Sequence, residues 1–173
     1  MAGKPKITKK EIVAGLRALG LGPGSNVIAH TALSSLGEVE GGADTVIDAL
    51  IEAISPGGTL VMPTFGAASP FDAAASPTNL GAIPEAFRKR PGVRRSRHPL
   101  SNVAAFGPRA EHYTQGHEDA DCPYLEGTPY WKLAADGGYI LLLGCDHDRN
   151  TTLHAVEAAA DAPYLAPKTA SWI

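Results

Sequence analysis

Apolar residues recur along this chain at two different spacings, and the changes from one to the other mark its helices and strands. Ile12, Val13, Leu16 and Leu19 repeat at helical spacing behind Thr8 and Glu11, whose separation is that of a capping box. Gly20 and Gly22 end that helix, and Pro23-Gly24 turns the chain into a short apolar strand, Asn26 to His30. Thr31 to Gly37 is small and hydroxyl-rich, and Gly41-Gly42 follows it. A second helix begins near Asp44, with Val46, Ile47, Leu50, Ile51 and Ile54 inward, and stops at Ser55-Pro56-Gly57-Gly58. Thr59 to Thr64 is the second strand. Strand, helix and strand in that order predict a parallel pair joined by a right-handed crossover.

The pattern then loosens. Residues 65–81 show no period and read as a long loop, which in a compact domain is more often functional than idle. Gly81 to Arg90 predicts a short helix with Pro84 near its first turn. Arg94 to Pro99 reads as a basic turn, Asn102 to Phe106 as a strand and Gly107 to Tyr113 as a short helix. Thr128-Pro129 opens another helix through Ala135. Tyr139 to Leu143 is wholly apolar and predicts a buried strand. It runs into a polar turn, Asp146 to Asn150, and then a helix with His154 and Glu157 on one face. The chain is expected to form one α/β domain over residues 1–173.

Composition narrows the function. With 173 residues, 44% hydrophobic and 19% charged, the chain can bury a core without disulfide or metal support. A net charge of −3 offers nothing to nucleic acid or to an anionic membrane, and suits a cationic ligand better. Cys122 and Cys145 form no disulfide framework, the basic N-terminus lacks a signal-peptide core, and no apolar run reaches membrane length. A cytoplasmic enzyme, with no membrane or nucleic-acid partner, is expected.

Three segments carry candidate chemistry. The Thr31–Gly37 loop reads equally as a plain connection or as one whose N–H and hydroxyl groups hold phosphate or amide oxygens. Arg94, Arg95 and Arg97 could grip a phosphate, although a solvated turn explains them as well. His154 and Glu157, three apart, can hydrogen-bond, and a carboxylate that orients an imidazole raises its basicity. A single helical histidine is more often structural, but the C-terminal end of a strand favours chemistry. Cys145, His147 and His154, with Asp146 or Asp148, supply metal-ligand types, yet their spacing fits no ordinary zinc pattern, so no metal is expected. Walker, dinucleotide-binding and Gly-x-Ser-x-Gly signatures are absent.

Several blocks, in order, resemble the aminoglycoside 3-N-acetyltransferase family. They are His30 to Gly37 with Gly41 to Val46, Gly58 to Phe65 with Phe71-Asp72, Gly81 to Arg88, Arg95 to Pro99, Glu126 to Pro129, and His147 to His154. The resemblance implies a central mixed sheet flanked by helices and transfer of acetyl from acetyl-CoA, as co-substrate, to an aminoglycoside amine, conferring resistance. It implies a CoA groove lined by His30, Thr31, Ala32, Leu33, Ser34, Ser35 and Leu36 and by Arg95, Ser96, His98, Pro99 and Ser101. His154 resembles the family's general base, with Glu157 orienting it, in direct transfer within a ternary complex. A hydroxyl or N–H near Thr31 could hold the oxyanion. Asp72, Glu126 and Asp148 would meet a polycationic sugar or another polyamine-like substrate. Family members extend further at the C-terminus, so the chain is expected to be a short form. The alternatives are a homologue that binds CoA without turnover and one that acetylates a different amine.

Overall fold

The computed structural model describes residues 6–164. Helix α1, Lys9–Ala18, starts as its sequence requires: the Thr8 hydroxyl accepts from the Glu11 N–H, and the Glu11 carboxylate accepts from the Thr8 N–H at 2.8 Å. This reciprocal pairing satisfies two N–H groups that a helix start otherwise leaves bare. Strand β1, Asn26–Thr31, leads through a turn of 3₁₀ helix at Leu33–Ser35 into α2, Gly42–Ile54, and then β2, Thr59–Pro63. β1 and β2 pair in parallel, as the strand–helix–strand order predicts.

The looser middle resolves into α3, Ala82–Arg88, β3, Arg94–Arg95, β4, Val103–Phe106, and α4, Ala110–Thr114. The last third adds α5, Pro129–Ala135, β5, Tyr139–Leu143, and α6, Leu153–Ala159. The strands form one sheet in the order β3-β4-β2-β1-β5, with β5 parallel to β1 and β4 antiparallel to both β2 and β3. The sheet is therefore mixed. Arg94 and Arg95, read from sequence as part of a turn, pair instead with Ala105 and Ala104. At Gly107, where β4 leaves the sheet, φ is 129° and an added Cβ would lie 2.5 Å from the Gly58 carbonyl oxygen. Only glycine lets the chain pass there.

Strand residues alternate between two cores, since successive side chains of a strand point to opposite faces. Val27 and Ala29 of β1 face Val46, Ile47 and Leu50 of α2 and Phe87 of α3. Ile28 faces the other way, with Val61, Val103, Tyr113 of α4, Tyr130 of α5 and Ala155 of α6. Burying each of the larger aliphatic or aromatic side chains among these stabilises the fold by about 2 kcal/mol. One expectation needs correction. β5 is not a buried central strand: it is the sheet's edge, and Tyr139 and Ile140 are each 47% exposed. Leu141 and Leu143 pack into the core beside α2, and among the described residues nothing pairs with the strand's outer side.

Candidate functional site

The C-terminal ends of β1 and β5 lie side by side, with Thr31 opposite Leu143 and the Ala32 N–H donating to the Leu143 carbonyl at 2.9 Å. Parallel strands ending together open a crevice, because the chains leaving them must diverge. Here the crevice is a cleft of about 1220 Å³. β5 leaves the sheet through Gly144, whose φ is 75° and whose hydrogen faces the Ala32 carbonyl so closely that a Cβ would sit 2.6 Å from that oxygen. Cys145 follows, its thiol donating to the His30 carbonyl at 3.3 Å, so the two strand ends are tied twice.

His30, Thr31, Ala32, Leu33, Ser34 and Ser35 all line the cleft, as do Asp148, His154 and Glu157. The Thr31 Oγ1 atom is buried behind the cleft wall and has no hydrogen-bond partner among the described residues. His30 is buried at the cleft floor, its Nε2 3.1 Å from the Thr152 hydroxyl. Burial pushes its pKa down to about 4, so the ring is neutral near pH 7. That bond fixes the start of α6 to the end of β1. Asn150 adds to it, accepting from the Thr152 N–H at 3.2 Å.

α6 then presents His154 at the rim, with its side chain half exposed. Its Nδ1 lies 2.5 Å from the Glu157 Oε2, one helical turn on. The bond to His154, with a second from Tyr164, holds the Glu157 carboxyl below its usual range. A carboxylate on Nδ1 selects the tautomer with a proton there and leaves Nε2 as the basic nitrogen. The Tyr124 ring packs against the imidazole, with centroids 5.0 Å apart and planes tilted by 49°.

Other expected site residues lie elsewhere. Leu36 packs against the core beside α2 rather than lining the cleft. Arg95 does not reach the cleft: its guanidinium is consumed inside the fold. It donates to the Asn102 Oδ1 at 3.0 Å, the Thr64 hydroxyl at 3.2 Å, the Ser76 and Ala73 carbonyls at 2.6 and 3.2 Å, and the Thr64 carbonyl. It also lies 4.9 Å over the Phe71 ring, and burial pushes its pKa down to about 10. These contacts engage all three guanidinium nitrogens inside the fold, away from the cleft. Ser96 is buried, accepting from the Val103 N–H and donating to His117 at 2.9 Å, while His98 stacks on His117 at 4.7 Å. Pro99 is buried beside them, and Ser101 bonds to the Tyr124 hydroxyl. None of these lines the cleft. The Asp72 carboxylate closes its own loop by accepting from the Ala74 and Ala75 N–H groups, and Glu126 is exposed away from the cleft. The sequence reading missed Tyr124, Thr152 and the wall formed by Phe65, Asn79 and Leu80.

Among the described residues, no group of three or more His, Cys, Asp or Glu side chains is placed to hold a metal ion. None of the helices there is long and apolar enough to cross a membrane. The sequence profile described as "Aminoglycoside 3-N-acetyltransferase" matches residues 28–171. The chain belongs to the aminoglycoside 3-N-acetyltransferase family. Among curated members of this family, it is 38% identical over 164 residues to aminoglycoside N(3)-acetyltransferase IV from Salmonella. That match takes in 92% of this chain and 62% of the relative, so the chain spans less than two thirds of the relative's length. Among solved members, it superposes on the apoenzyme of AAC(3)-IVa with a TM-score of 0.93 at 36% identity, covering 99% of this chain and 68% of that one. AAC-IIIb, solved as a binary complex with CoASH, gives a TM-score of 0.84 at 33% identity, covering 89% of this chain and 65% of that chain. The mixed sheet, α/β class and family expected from sequence are thus all found.

Proposed function

We propose that this chain is a cytoplasmic acetyltransferase that moves acetyl from acetyl-CoA to an amine of an aminoglycoside, with His154 as general base. The observation that carries the reading is the His154–Glu157 pair, 2.5 Å apart at the rim of a cleft built on two strand ends. Family membership and a structural neighbour solved with CoASH support the donor, and the relatives' names support the acceptor.

Chemically, the amine nitrogen attacks the thioester carbonyl carbon, and its excess proton passes to the His154 Nε2. The Glu157 carboxylate, bonded to Nδ1, stabilises the imidazolium that forms. Negative charge gathers on the carbonyl oxygen in the transition state, where a hydroxyl or backbone N–H of the loop that follows Thr31 is the candidate donor. The carbon–sulfur bond then breaks and the CoA thiolate takes up a proton. Holding amine and thioester together in the cleft removes much of the entropic barrier. Asp148 and Glu157 put carboxylates on the cleft wall, which suits a polycationic acceptor.

The test is thiol release from acetyl-CoA with a panel of aminoglycosides, comparing wild type, His154→Ala and Glu157→Gln. His154→Ala should lower kcat by about 10²- to 10⁴-fold, the usual worth of a general base. Unchanged release by that variant removes the base assignment. CoA binding with no acetylation of any amine would replace the reading with a CoA-binding protein that has lost turnover.

A further inference from the structure

His154 sits on a thin support. α6 has seven residues, of which only Ala155 is buried, while Leu153 is 42% and Val156 66% exposed. Glu157 restrains one edge of the imidazole, but a hydrogen bond at Nδ1 still lets the ring swing about that contact. We propose that Tyr124, anchored through Ser101, is the positioning residue that holds the imidazole of His154; this rests on the assignment of His154 as base.

The anchor runs into the core. Tyr130 is fully buried, and its hydroxyl donates to the Ser101 carbonyl at 3.0 Å. The Ser101 hydroxyl bonds in turn to the Tyr124 hydroxyl. Tyr124 packs between Tyr130, at 5.2 Å, and His154, at 5.0 Å, tilted to each by about fifty degrees. Rings at these separations and tilts attract beyond their area burial. Ser101 holds this arrangement with φ at 51°, a left-handed conformation that a residue other than glycine rarely adopts. Such strain persists where the surroundings over-determine it, and it clusters around functional groups. Here it aims both the carbonyl at Tyr130 and the hydroxyl at Tyr124. Tyr124 itself has no place on the cleft wall, so it acts through His154 rather than on substrate.

The experiment pairs kinetics with a contact measured without substrate. Tyr124→Leu should lower kcat about tenfold or more, the scale of a misplaced catalytic group, with the KM for acetyl-CoA within about twofold. Tyr124→Phe keeps the ring but loses the bond to Ser101, so its kcat should fall between those of wild type and Tyr124→Leu. In an NMR spectrum of the free protein, the His154 Cε1 proton should shift in Tyr124→Leu as the tyrosine ring current is lost. In a double-mutant cycle, Tyr124→Leu should cost nothing further once His154 is alanine. Full turnover by His154→Ala would refute the base assignment and the positioning role together. If His154→Ala is crippled while Tyr124→Leu keeps wild-type kcat, or loses only KM, the positioning role alone is overturned.

Discussion

Acid should unfold this protein well above the range in which carboxylates titrate. Two histidines, His30 and His117, are buried in neutral form, and burial holds them at about 4 and about 3. For His117 the neighbouring His98 adds to the effect, and its ring is boxed in by the Ser96 hydroxyl on Nδ1 and the Pro123 carbonyl on Nε2. In the unfolded chain both rings titrate near 6.5. Above that value neither state carries the proton and the folded protein loses nothing. As pH falls below it, the unfolded chain binds two protons that the folded protein refuses, so stability drops until the folded values are reached. Between about pH 7 and pH 5 each ring contributes a loss of about 2 kcal/mol, roughly 4 kcal/mol together, which is a large part of a typical domain's stability. Urea unfolding at a series of pH values measures this in a window above the carboxylate titrations. His30→Gln and His117→Gln should each remove about half of the pH dependence, whatever they do to stability at neutral pH. Wild-type stability that stays flat within about 1 kcal/mol across this window would refute the reasoning, as would an unchanged slope in the double variant.

Two further substitutions probe the frame of the cleft. Arg95→Ala leaves the Thr64, Ala73 and Ser76 carbonyls without this donor and should cost about 3 kcal/mol or more by chemical denaturation. Arg95→Lys should recover little, because an ammonium cannot reproduce the forked geometry. Gly144→Ala drives a Cβ against the Ala32 carbonyl at a positive φ, so it should destabilise by about 1–3 kcal/mol and loosen the β1–β5 mouth of the cleft. Acetyl-CoA binding by calorimetry should weaken in that variant, and unaltered binding would argue that the donor contacts other parts of the wall.

Much of the fold could be read in order along the chain. The capping box at Thr8 and Glu11, the apolar stripe of α2 and the parallel β1–β2 pair depend on residues close in sequence, and all are found. His154 and Glu157 were legible for the same reason, since a spacing of three on a helix brings them together. Arg95 was misread because composition records a charge but not its burial. A basic run looks solvated or phosphate-seeking until the loop formed by Ala73 and Ser76 folds over it. The position of β5 was misread for a related reason. An apolar run suggests a strand covered on both faces, but it carries no information about which edge is paired, and at the edge Tyr139 and Ile140 stay half exposed.

Local chemistry along the chain therefore settles the main helices, four of the five strands, the general α/β class and the paired acid and imidazole of α6. Long-range packing settles the rest. Tyr124 meets His154, thirty positions along the chain, Thr152 meets His30 at a separation of 122, and the Arg95 guanidinium is engaged by acceptors up to 31 residues away. Periodicity reports which face of an element is apolar, because that depends on neighbours a turn or a pleat away. Which partners fill a buried hydrogen bond is chosen only when distant segments compete for the same space, and it is this choice that separates the cleft residues from those that merely hold its walls.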